Sequence, residues 1–110
     1  MLPSEYEELV FKAAVIQKVA IELGIKETAV LAASELLPLI QGRNREVAAA
    51  LHDFLEAHKA WSDFHVGIEK DARFGQLTSS ERTALASLVE RRDRTRNTLL
   101  KALEAVTGNP

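Results

Sequence analysis

The chain has 110 residues and a formal charge of −2 from 14 basic and 16 acidic side chains, with 46% hydrophobic and 27% charged residues. That size fits one domain able to bury a core without covalent or metal staples, and the composition excludes a disordered or collagen-like chain. The absence of cysteine excludes disulfides, thiolate metal centres and thiol nucleophiles, and the charge balance gives no global attraction to nucleic acid or anionic lipid.

The opening "MLPSEYEELVF" is acidic where a signal peptide would be basic, and no apolar run reaches membrane-spanning length, so a soluble cytoplasmic protein is expected. Pro3 and a Ser4-to-Glu7 capping box predict a first helix over residues 4–23, closed by Gly24 at a position that favours a left-handed turn. Leu9, Ala13, Ile16, Ala20 and Leu23 form its first apolar stripe, and Val10, Phe11, Ala14, Val15, Val19 and Ile21 continue around other faces. A helix apolar on most sides is buried on most sides. A second helix is predicted over 27–40, shortened or kinked by Pro38, which donates no amide hydrogen, and followed by Gly42.

From Asn44 to Ala72 there is no proline and the one glycine is Gly67, which makes a third helix over 44–72 the economical reading. The "RFGQL" stretch turns the chain near Gly75. A capping box of Thr78 with Glu81 then starts a fourth helix over 79–106, stopped by "TGNP". No segment alternates with period two. The expected fold class is therefore all-α: a single four-helix bundle-like domain over 1–110, with two shorter N-terminal helices and a long antiparallel C-terminal helical hairpin. Helices three and four, at roughly 28 residues each, reach about 42 Å at 1.5 Å per residue, against nearer 30 Å for helix one. That mismatch, with the apolar surplus of helices one and two, predicts a homodimer built on those two helices.

The stretch "VAIELGIKETAVLAAS" places Ala20 four residues before Gly24, flanks that glycine with Leu23 and Ile25, and sets Val30 six residues after it. In these positions it resembles the helix-turn-helix of bacterial DNA-binding regulators, which implies a recognition helix within residues 19–37. The outward positions are Lys26, Glu27, Thr28, Leu31, Ala32 and Glu35. Two acids and two apolar residues with one cation repel phosphate and read few base edges. A tight corner between packed helices is the reading preferred here, with a DNA-binding transcriptional regulator as the alternative.

Helix three centres its stripe on Val47, Phe54, Trp61 and Ile68, and His58 and His65 lie within the same apolar arc. Helix four turns Leu85, Leu88, Leu99, Leu103 and Val106 inward, and Arg92 and Thr95 interrupt that stripe. In an antiparallel hairpin, residues whose numbers sum to about 151 lie level, which sets Arg92 within a turn of His58 and Trp61. Two readings stay open. Arg92 lays its stem across the core and stacks on Trp61 while the histidines find local partners. Otherwise His58, Trp61, His65 and Arg92 line a site for an anionic ligand, or form a polar layer that fixes helix register in the dimer.

A metal is not expected, because the seven-residue spacing from His58 to His65 exceeds the three or four of a chelating helical pair. Catalysis is not expected either: there is no phosphate loop, nucleophile elbow or "HExxH". The pairs Glu7 and Glu8, and Asp53 and Glu56, read as solvated outer faces. In "ERRDRTRN", Arg91, Arg94 and Arg96 offer planar forks to an acidic protein partner, although they point in several directions and no aromatic residue interleaves to stack bases. The expected function is a non-enzymatic, homodimeric protein–protein interaction or adaptor module without cofactor. The alternatives are the regulator above and a small-anion sensor with a polar core site.

Overall fold

The computed structural model describes residues 3–71 and 76–108, and among them it is all-helical, with four α-helices and no strand. The turn expected near Gly75, and the last two residues of "TGNP", lie outside the described residues.

Helix α1 (Pro3–Glu22) begins on a proline, whose fixed φ suits the first helical position and whose missing N–H would be unbonded there anyway. The expected Ser4–Glu7 cap rests on a side chain outside the described ones. The helix ends in a Schellman motif: the Ile25 N–H donates to the Ala20 carbonyl and the Gly24 N–H to that of Ile21, each at 3.0 Å. Gly24 takes φ +74 to close it, and Ile25 folds back into the core. A Cβ at Gly24 would meet only Arg43 Nη1, at 4.0 Å, so the obstacle to substitution is backbone conformation rather than space. Gly24→Ala is expected to cost about 1 kcal/mol of unfolding free energy, read from urea midpoints at constant m-value.

Beyond Ile25 the structure departs from the sequence expectation of a helix over 27–40. Residues Lys26–Ala29 form a short 3-10 turn. The Thr28 hydroxyl donates to the Ile25 carbonyl at 2.7 Å and gives the backbone a local alternative to the α-helix. Helix α2 (Ala33–Arg43) starts only after it. The Ala32 N–H donates to the Glu35 carboxylate at 3.3 Å; alanine has no acceptor to return the bond, so only half of a capping box forms. Pro38 sits inside α2 and removes one ladder hydrogen bond, and Gly42 lies within the helix instead of ending it.

Asn44 makes the joint to helix α3 (Arg45–Asp71) without a loop. Its N–H closes α2 on the Ile40 carbonyl at 2.9 Å, while its Oδ1 accepts from the Val47 N–H at 3.0 Å and caps α3. Arg43 Nη1 donates to the Leu23 carbonyl at 3.1 Å, tying the end of α2 to an unpaired carbonyl at the end of α1. Helix α4 (Ser79–Thr107) opens on the reciprocal Thr78–Glu81 box, both bonds at 3.1 Å, and closes on Gly108 at φ +70.

The core sits where α1, α2 and the first half of α3 meet the last two turns of α4. Ile16, Val19, Leu36, Ile40, Val47 and Leu51 are its most enclosed large residues. Along α4 only Leu99, Ala102 and Leu103 are buried; Leu85 and Leu88 are half-buried, because that length of the helix packs mainly on α3. Leu9 and Val106, expected on inner stripes, are 56% and 41% exposed. For α1 the buried stripe is centred on Ile16, Val19, Ala20 and Leu23 instead. The radius of gyration, 15.9 Å, exceeds the roughly 13 Å of a compact chain this long, and the extents of 46 × 31 × 19 Å describe an elongated slab.

Candidate functional site

Residues 54, 58, 61 and 65 recur at spacings of four, three and four, so they share one face of α3. Their rings run along the helix as a ladder. Phe54 and His58 lie 6.2 Å apart, His58 and Trp61 5.4 Å, and Trp61 and His65 5.3 Å between centroids. Helix α1 adds Phe11, which stacks on His58 at 3.9 Å with planes 13° apart and meets Phe54 edge-on at 5.9 Å. Helix α4 adds Arg92, its guanidinium 4.7 Å above the Trp61 ring and its nitrogens 3.4 Å from Asp93. The structure thus gathers His58, Trp61, His65 and Arg92 into one cluster, with Arg92 stacked on Trp61.

Glu8, one turn before Phe11 on α1, completes it. Its Oε2 meets His58 Nδ1 at 2.5 Å, out of line for an ordinary hydrogen bond, and neither atom has another hydrogen-bond partner. Burial, and then the nearby Arg92 guanidinium, hold the His58 pKa down to about 4. His58 is therefore neutral near pH 7, and the contact is not one between two full charges. Glu8 is pushed above the usual carboxylate range by burial and by the Asp63 carboxylate, against the pull of Lys12 and Lys59. Asp63 is itself held 2.8 Å from Lys59 in an exposed pair, worth little to stability.

In this arrangement Arg92 has partners on both sides, whereas Glu8 Oε2 and His58 Nδ1 are buried against each other without a hydrogen bond. Arg92 is engaged by an aromatic face and Asp93, and His58 packs on Phe11 with its Nδ1 against Glu8, at the junction of α1, α3 and α4. Among the described residues, no group of three His, Asp or Glu side chains is placed to hold a metal ion. None of the helices among them is long and apolar enough to cross a membrane.

The arginine run divides. Arg91 and Arg94 line a hollow with Asp53 and Thr98 on one side of α4, and Arg94 pairs with Glu90 at 3.7 Å. Arg96 instead faces a cleft between α1 and α4, as does Arg92. In the stretch resembling a helix-turn-helix, Lys26, Glu27 and Thr28 fall in the 3-10 turn and Leu31 and Ala32 precede α2. Residues 23–32 thus separate two α-helices that the motif joins by a turn of three or four, and no recognition helix begins where the resemblance implies.

Two residues of these surfaces escaped the sequence reading. Glu8, expected with Glu7 on an outer face, is half-buried, whereas Glu7 is exposed. Lys18, on the α1 wall of the cleft, carries no motif at all. Both depend on the register of α1 against its neighbours, for which sequence spacing gives no signal. Comparison with protein-family models, with curated proteins and with solved structures returns no match for this chain.

Proposed function

We propose that the chain is a non-enzymatic helical interaction module of the cytoplasm, a four-helix bundle-like unit braced by a long antiparallel α3–α4 hairpin, that pairs with a second copy of itself. One observation carries this reading. Tyr6, Val10 and Ile21 are 62%, 51% and 64% exposed, and with Ala14 and Gln17 they make an uncharged stripe along the outside of α1. A row of large apolar side chains held in water on a regular helix is the surface that helix pairing removes from solvent. Leu39 on α2 and Val30 before it are also exposed apolar side chains, on the second helix of the proposed dimer contact and just ahead of it.

Arg91 and Arg94 supply a second contact in this proposal. They share one hollow, and the Glu90 pair that occupies Arg94 is exposed and weak, so their forks are open to a carboxylate-bearing partner helix. With Arg96 turned into the cleft, that contact rests on two arginines instead of three.

Light scattering in line with gel filtration tests the self-contact. The wild type is expected to elute with the mass of two chains, and Val10→Glu with Ile21→Glu with the mass of one, because two exposed substitutions place charges within the apolar stripe without touching the core. A wild type of single-chain mass at every concentration sinks the reading, and a dimer that survives both glutamates moves the contact off α1.

A further inference from the structure

One residue around α1 from the stripe just described, about 100° away at 3.6 residues per turn, a different surface begins. Val15 and Val19 form one side of a cleft of about 410 Å³ between α1 and α4, with Phe54 from α3 beneath and Leu99, Leu100 and Leu103 from α4 opposite. That volume lies in the range of small-molecule sites, and apolar walls with a few polar groups are their usual lining.

The charges at the cleft differ from those of the whole chain. The protein carries a net −2, but this cleft is lined by Lys18, Arg92 and Arg96 against Glu22 and Asp93. Arg92 and Asp93 answer each other at 3.4 Å, with Arg92 also laid over Trp61. Lys18 on the α1 wall and Arg96 on the α4 wall have no such partner among the described residues. Against them stands Glu22, the last residue of α1. The surplus is one positive charge, at the mouth of an apolar trough in an otherwise acidic protein.

We infer that the α1–α4 cleft binds a single-chain amphipathic carboxylate, its hydrocarbon chain laid on Phe11, Val15 and Leu100 and its carboxylate held between Lys18 and Arg96. One negative charge matches the surplus of one. The chain gains by leaving water for an apolar trough, and the carboxylate gains charge-assisted hydrogen bonds from an ammonium and a planar guanidinium. A short polar anion gains nothing from the trough, and a neutral chain of the same length gains nothing from the cations. Because the walls belong to α1 and α4 together, occupancy joins two helices that otherwise touch little.

The test titrates dodecanoate, below its micellar concentration, into the full chain, read by calorimetry and by the fluorescence of Trp61, the single tryptophan, against which Arg92 packs. The expected result is saturable binding of one dodecanoate per chain, about tenfold tighter than dodecanol, with no binding of acetate. Lys18→Glu with Arg96→Glu, both exposed positions, is expected to weaken dodecanoate by about tenfold or more and to favour dodecyltrimethylammonium instead. Dodecanol binding as tightly as dodecanoate, acetate competing for the site, or a charge-reversed variant that still prefers dodecanoate would each overturn the inference. The self-association stripe lies on another face of α1, so the two proposals fail separately.

Discussion

Phe54→Ala is expected to lower the unfolding free energy by about 3–5 kcal/mol, the range for removing a large aromatic ring from a packed core. Phe54 is 5% exposed. It packs beneath the α1–α4 cleft and takes the Phe11 ring edge-on, so truncation empties space at the meeting of three helices. None of those helices closes that space without dragging its other contacts along. A domain of this kind holds in total about 5–15 kcal/mol, so the variant is expected to be marginal, with a urea midpoint far below that of the wild type. Phe11→Ala provides the comparison, since its ring is only half-buried and its loss is expected to cost clearly less. Equal and small losses at the two positions would mean that the junction of α1 and α3 is loosely packed.

Acid is expected to destabilise the fold through His58. The group titrates near 6.5 in the unfolded chain and at about 4 in the folded one. Between those values the unfolded chain binds the extra proton, so stability is full above about pH 6.5, falls as the pH drops through the window, and levels off below about 4. Glu8 acts in the opposite sense. Its raised carboxyl contributes stability that is present below the unfolded value of 4.5 and lost as the pH rises through the folded one. The charged groups around the pair are Lys12 from α1, Lys59 and Asp63 from α3 and Arg92 from α4.

Melting temperatures are therefore best compared between Glu8→Gln and Glu8→Gln with His58→Phe, from pH 7 down to pH 4. The first is expected to lose several degrees more than the second over that range, because each unit of displaced pKa is worth about 1.4 kcal/mol before solvent screening reduces it. Phenylalanine keeps the stacking on Phe11 and lacks the proton. Parallel curves would mean that the His58 ring is solvated in the folded protein.

Much of the architecture follows from local chemistry. A period-3.6 pattern without alternation yields helices, Thr78 and Glu81 start α4 by bonds within four residues, and Gly24 ends α1 because its φ of +74 suits a residue without a Cβ. The clustering of His58, Trp61, His65 and Arg92 was legible for a related reason: three of them repeat on one helical face, and the register of two helices joined by a short connection follows from counting. Where local preferences compete, spacing alone did not decide. The 3-10 turn at Lys26–Ala29 rests on a hydroxyl bonding back to Ile25, and the α2–α3 joint on Asn44 serving two helices at once; each is one of several bonds those residues could make.

The sequence by itself determined the fold class, the helix stops at Gly24 and Gly108, and the aromatic and histidine face of α3, because these depend on residues within a few positions of one another. Only the tertiary structure decided which side of α1 faces water. A helix apolar on most sides offers several burial solutions, and the choice belongs to its neighbours. That choice put Glu8 against His58, left Tyr6, Val10 and Ile21 exposed, and set Lys18 across a cleft from Arg96. Each of these pairings joins helices distant in the chain, and their register is set by how the whole core packs.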